Sequence, residues 1–157
     1  MTAEQRLLRI ELPDNAPLPS PYAEADRTQA VADLLAANHF DPVGLPPGPY
    51  ALHLEVRDGR LVLDIRSAAE QPLRIIALAL GPFRRLIKDY HMVVASHEEA
   101  VMEGSSDARI QAIDMGRRGL HNEGAELLRE RLKGRIAMDF ETARRLFTLV
   151  CALHQRI

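Results

Sequence analysis

The chain is poor in the residues that usually give a function away. Of its 157 residues one is cysteine, Cys151, none is tryptophan, and aromatics make up 4%. A lone cysteine excludes an intrachain disulfide and points to a reducing compartment. With few aromatics, the core must be built from Leu, Ile, Val and Ala, and an apolar share of 46% is enough to build one. The formal net charge is only −2, which argues against duplex DNA and anionic membranes as partners. The longest apolar stretch, 146–153 with Thr148 inside it, is far too short to span a bilayer. Met1–Arg6 carries no apolar signal region. These absences predict one cytoplasmic domain, 1–157.

Motifs of chemistry are equally scarce. There is no Gly-x-Ser-x-Gly, no His-Glu-x-x-His, no cysteine cluster, no acidic calcium loop and no phosphate or dinucleotide fingerprint. His91 and His97 are six apart, the wrong spacing for chelation on one helix. No metal and no cofactor is therefore expected.

What is present is a readable order of elements. Leu8, Ile10 and Leu12 alternate with Arg9 and Glu11, a short strand ended by Pro13, and Pro13 to Pro21 reads as a loop. Ser20-Pro21 has the form of an N-cap followed by proline in the first turn, so a helix of about 21–37 follows. Val31, Leu34 and Leu35 would be its inner face and Asn38 its stop. Asp41–Pro49 is rich in Pro and Gly and reads as irregular. Residues 50–66 then alternate in two runs around Asp58-Gly59, a type I′ hairpin signal. Closing that turn with Arg57 opposite Arg60 puts Val56 on Leu61, Leu54 on Leu63 and Leu52 on Ile65. An apolar run at about 73–80 predicts another strand. After it come three helices: about Pro82–Met102, Asp107–Leu132 and Phe140–Gln155. Strands early and helices late predict an α+β fold, a small antiparallel sheet against a layer of long helices.

The stretch Ile110–Leu128 is the densest violation of helix rules in the chain. It is periodic, yet Gly116, Gly119 and Gly124 lie inside it, each costing about 1 kcal/mol relative to Ala. Gly124 and Arg117 fall within the apolar stripe. A glycine there implies close approach of a neighbour. An arginine there is expected to be mostly buried, with Asp114 its nearest carboxylate.

Three Arg-Arg pairs mark the late helices: Arg84-Arg85, Arg117-Arg118 and Arg144-Arg145. Adjacent residues lie 100° apart, so Arg84, Arg117 and Arg144 should face inward and their neighbours outward. With Lys88, Arg118, His121 and Asn122, the inner arginines could converge on an anion. The plainer alternative is internal pairing, Asp114 with Arg117 or Arg118 and Glu141 with Arg144 or Arg145. His121 is oriented toward Asp114, two turns earlier, as a His–carboxylate pair or a structural histidine. His97 and His154 read as buried core histidines and Cys151 as an inert core thiol.

Two runs carry a resemblance. Leu80-Gly-Pro-Phe-Arg-Arg-Leu-Ile-Lys-Asp-Tyr90 is one, and Ala112-Ile-Asp-Met-Gly-Arg-Arg-Gly-Leu-His-Asn-Glu-Gly124 followed by Asp139-Phe-Glu-Thr-Ala-Arg-Arg-Leu-Phe-Thr-Leu149 is the other. They resemble a bacterial family known as uncharacterised protein family 0262, over most of 73–154 and more loosely before it. The resemblance implies a bacterial cytoplasmic protein and transfers no catalytic residue.

Three functions remain open. The first is a non-enzymatic regulatory or protein-interaction module, a homodimer among its forms, because no acid–base–nucleophile set is present. The second is an anion- or nucleotide-binding protein, or an enzyme on a phosphorylated substrate, using Arg84, Lys88, Asp114, Arg117, Arg118, His121, Asn122 and Arg144. The third is single-stranded RNA binding by Gly116–Gly119, which has the spacing of a Gly-x-x-Gly backbone clamp.

Overall fold

The computed structural model describes residues 4–13 and 20–154. Most of the expected loop between Pro13 and Pro21, and the expected helix end at Gln155, lie outside the described residues. The elements run β1 (Leu7–Glu11), α1 (Pro21–Ala36), β2 (Phe40–Pro42), β3 (Tyr50–Arg57), β4 (Arg60–Ser67), β5 (Pro72–Ala79), α2 (Arg84–Met102), α3 (Asp107–Leu132), β6 (Ile136–Met138) and α4 (Phe140–Leu153). This is an α+β fold.

The hairpin β3–β4 follows from local chemistry. Asp58 and Gly59 both take positive φ, 52° and 73°, as a type I′ turn requires. The register is the one that alternation demands: Val56 on Leu61, Leu54 on Leu63, Leu52 on Ile65. Leu52, Leu54, Leu61, Leu63 and Ile65 are buried, and Ile76 and Leu78 of the antiparallel β5 extend the same face. The opposite face carries ion pairs, among them Arg9, His53 and Arg66 around Glu70.

Two expectations about strands are corrected. The sheet is mixed, in the order β1-β3-β4-β5, because β1 pairs parallel with β3. The intervening chain carries α1, a crossover that returns the chain in the same direction, which a tight hairpin cannot do. The ladder is irregular between Leu7 and Arg9, which lets Leu7 enter the core together with Ile10, three residues on, and leaves Leu8, expected on the apolar face, exposed. The second correction concerns Asp41–Pro49. Its start is regular, since Phe40–Pro42 pairs antiparallel with Ile136–Met138. Phe40 and Met138 are buried there.

Caps set the helix bounds. Ser20, Ser106 and Asp139 each accept a hydrogen bond from the backbone N–H three residues on. Asn38 does more than stop α1. Its side-chain amide donates to the carbonyls of Leu34 and Leu7, and its Oδ1 accepts from the Leu7 N–H at 2.7 Å. It thereby stands in for a neighbouring strand along part of β1. The inner face of α1 is Ala23, Ala30 and Leu34, whereas Leu35 is exposed and Val31 only half-buried. Small side chains here let α1 lie close to α4. α2 begins after a 3-10 turn at Gly81–Phe83 rather than at Pro82.

α3 runs unbroken through Gly116, Gly119 and Gly124. A Cβ on Gly116 or Gly119 would meet nothing within 4 Å, but on Gly124 it would run into the ring of Phe147. Only Gly124 therefore serves the crossing of α3 and α4. Gly124→Ala is expected to lower stability by about 1–3 kcal/mol through overpacking. Gly119→Ala should raise it slightly, through helix propensity. Urea unfolding of both variants checks this, and a neutral Gly124→Ala would place the crossing elsewhere.

Candidate functional site

A cavity of about 440 Å³ lies between α1, α3 and α4. Helical spacing builds each wall. On α1, Tyr22, Asp26, Gln29 and Asp33 recur every three or four residues and share one face. On α3 the residues are Arg117, Arg118 and His121, and on α4 they are Arg144, Arg145 and Thr148.

The deep wall is a polar network centred on Asp26. Its Oδ1 accepts from Arg117 Nη1 at 2.8 Å and its Oδ2 from the Tyr90 hydroxyl at 2.8 Å. Arg117 Nε donates to Asp114 at 2.8 Å and to the Tyr22 hydroxyl at 2.9 Å, and that hydroxyl in turn donates to Asp114 at 2.5 Å. The Arg117 side chain is 16% exposed, as its place in the stripe implies, and its Nη2 has no hydrogen-bond partner among the described residues. Arg117 is held firmly cationic: burial, which opposes its charge, is outweighed by Asp114 and Asp26. Burial likewise opposes the charge of Asp26, but His121, Arg117 and Tyr90 lower its pKa overall. Asp114 is drawn down to about 2, first by the hydrogen bond from Arg117.

His121 is 1% exposed and packs its ring 5.5 Å from that of Tyr90. Nδ1 lies 3.3 Å from the Thr148 hydroxyl. Nε2 is 3.4 Å from Asp26 Oδ2 but makes no aligned hydrogen bond. Burial lowers its pKa despite Asp26, so His121 is neutral near pH 7. The partner of His121 is thus Asp26 and not Asp114. Two helical turns separate 114 from 121 by roughly 10 Å, beyond contact, and Asp114 is spent on Tyr22, Arg117 and Arg118.

The outer wall is cationic. Arg144 Nε donates to the neutral Asn122 Oδ1 at 2.9 Å, and among the described residues no carboxylate lies within salt-bridge distance of Arg144. Burial lowers its pKa, and although Glu141 opposes this, Arg145 and Arg117 add to it. Arg145 pairs with Glu141 and sits 3.7 Å from Asp33, while its Nε is buried with no hydrogen-bond partner among the described residues. Arg118 reaches the rim, its Nε 3.3 Å from Asp114.

The structure brings Arg117, Arg118, His121 and Arg144 together, with Asp114 holding the first two arginines and Asn122 the third. It leaves out Arg84 and Lys88, which are exposed and do not line the cavity. Arg84 acts on His154 at the far end of α4, roughly 15 Å along the axis from Arg144. Arg118 and Arg145 were expected to point outward, yet both line the cavity, because three helices enclose a space wider than one helix stripe. Asp26, Tyr22, Tyr90, Gln29, Asp33 and Arg145 are the residues that sequence reasoning missed. The repeat of polar residues along α1, every three to four positions, was the available signal.

Elsewhere, Cys151 is fully buried and its thiol pKa is pushed up by burial. His97 and His154 are only half-buried, a correction to their expected burial. His97 stacks on Tyr22, and His154 caps α4, its carbonyl 2.7 Å from His91 Nε2. Among the described residues no group of three or more His, Cys, Asp or Glu is placed to hold a metal, and no helix is long and apolar enough to cross a membrane. Gly116–Gly119 is helix and not a loop between helices, so the backbone clamp is not formed.

The depressed pKa of Asp114 gives a pH test. Its folded value, about 2, lies below the usual 3.8. The ionised group therefore adds stability that is fully present above about pH 4 and is lost as pH falls through about 2. The melting temperature of the parent should exceed that of Asp114→Asn near neutrality, and the gap should close between those pH values. A constant gap would show that Asp114 is not held by Arg117.

Comparison with known proteins places the chain. Uncharacterised protein family (UPF0262) matches residues 4–156. A UPF0262 protein of Granulibacter bethesdensis is 60% identical, over 99% of this chain and 93% of its own length. One from Acidiphilium cryptum is 59% identical over 87% of this chain and 84% of its own, and one from Paramagnetospirillum magneticum is 49% identical over 99% of both. No solved structure matches. The match along nearly the whole length and these identities make the chain a member of the bacterial UPF0262 family.

Proposed function

We propose that this protein is a cytoplasmic binding module for a small anion, phosphate or a phosphorylated compound, in the cleft between α1, α3 and α4. The observation that carries this reading is Arg144. A half-buried guanidinium cannot shed its proton and needs a counter-charge. Arg117 has two carboxylates in direct contact, but Arg144 touches only a neutral amide; Glu141 and Asp26 act on it from beyond salt-bridge distance, against two neighbouring arginines. Its Nη groups make no hydrogen bond among the described residues, so a fork suited to a bidentate oxyanion is open to the cleft. The cytoplasmic assignment is supported by the single buried thiol.

Inorganic phosphate at about 10 mM should raise the melting temperature above that in sodium chloride of equal ionic strength, since a ligand that binds only the folded state stabilises by mass action. Arg144→Met should fold and lose the response. Arg85→Met, which breaks a surface pair with Glu123, should keep it. No shift in the parent, or an equal shift in Arg144→Met, would overturn the reading.

A second reading, self-association, is favoured by one feature. Met92, Val101, Met102 and Met115 are exposed on the α2–α3 hairpin, and Met92 lines a groove there with Asp89, Val93, Ser96, Ile113 and Gly116. Apolar patches of this kind mark protein contacts. On this reading light scattering finds a dimer that Met115→Glu converts to a monomer. A parent that stays monomeric at high concentration removes it.

A further inference from the structure

We propose that the ligand of the cleft is a phosphomonoester of a small aliphatic polyol, and that nucleotides are excluded. The proposal rests on the reading that the cleft takes an anion, and it concerns what the rest of that ligand must be.

A nucleotide needs somewhere to put its base, and base recognition relies on an aromatic or apolar slot. The cleft offers none. Tyr22 is its one wholly aromatic wall residue, and Tyr22 is committed. Its ring stacks on His97 at a centroid distance of 3.7 Å with an interplanar angle of 5°. The Arg117 guanidinium lies over it, 5.8 Å from the centroid. Its hydroxyl is bound by Asp114 and Arg117. The His121 ring is buried against Tyr90. The remaining apolar lining is Ala25 and Ala30, too small to sandwich a ring.

What the walls do offer is a graded set of polar groups. At one side are cationic donors: the Nη groups of Arg144, Nη2 of Arg117 and the rim guanidinium of Arg118. Further along α1 come acceptors. Gln29 Nε2 donates to Asp33 Oδ1 at 2.8 Å, which leaves Gln29 Oε1 and Asp33 Oδ2, on two residues that line the cavity, without a hydrogen bond among the described residues. The nearest cation to Asp33 Oδ2, Arg145, is 3.7 Å away, too far to use up the oxygen. With Arg145 this close the charge of Asp33 is partly offset, and what this end offers a ligand is acceptor oxygens for hydroxyls. From Asp26, beside the arginines, to Asp33 is two turns of α1, about 10 Å. That span suits a phosphate joined to a hydroxylated chain of a few carbons.

The test is calorimetry on the full chain with four probes: inorganic phosphate, glycerol 3-phosphate, ribose 5-phosphate and AMP. At least one of the two polyol monophosphates should bind tenfold or more tighter than inorganic phosphate, and AMP should bind no tighter than inorganic phosphate. Asp33→Ala should close the gap between polyol monophosphate and inorganic phosphate. Binding of AMP as tight as the polyol monophosphates overturns the ligand class while the anion reading stands. So does a polyol monophosphate no tighter than inorganic phosphate, or a gap that survives Asp33→Ala. If inorganic phosphate and all three esters fail to bind at millimolar concentration, the anion reading falls as well.

Discussion

The structure depends on Asp26. One carboxylate on α1 receives Arg117 from α3 and Tyr90 from α2, and it faces His121 of α3. Burying a carboxylate costs several kcal/mol unless charge and hydrogen bonds compensate it. Here both oxygens are engaged, and the compensation ties three helices at one point. Apolar packing sets α4 against α1 and α3. The polar network joins α1 to α3 along the deep wall of the cleft. Removing one partner would leave the other charge buried and unpaired, the expensive outcome for such pairs.

The same network divides the arginines into two kinds. Arg117 is cationic and satisfied on Nε and Nη1. Arg144 is cationic with no carboxylate within salt-bridge distance among the described residues, and Asn122 holds it in place. The two readings drawn from the sequence, internal salt bridges and a convergent anion site, are therefore not rivals for the whole set. The first describes Arg117, and the second is the better account of Arg144. Asp114 and Asn122 are both positioning residues, the first for Arg117 and Arg118 and the second for Arg144, and Asp26 fixes Arg117 from the facing helix.

Local features were legible in the sequence. Period-two alternation and Asp58-Gly59 gave the hairpin with its register. Ser20 announced the start of α1, and Gly124 announced the crossing, because one side chain too many would meet Phe147. Non-local features were not. The parallel pairing of β1 depends on where α1 returns the chain. The β2–β6 ladder is three residues long and contains Pro42, so neither strand has a pattern to read. Asp26 lies in a run of Ala, Glu and Arg that looks like solvent-facing helix, and its partners are more than sixty residues away. Charge pairing over such distances leaves no periodic trace, so the centre of the site stayed invisible while its arginines were found from spacing alone.

The central claim is that Arg144 presents unsatisfied guanidinium donors to a small anion. Its Nε–H resonance in a nitrogen-15 spectrum reports on it directly. Titration with inorganic phosphate at constant ionic strength should shift the Nε signal of Arg144 saturably, with a single dissociation constant. The signals of Arg57 and Arg85, paired on the surface with Glu55 and Glu123, should stay in place. Uniform, unsaturable drift of all arginine signals would contradict the account.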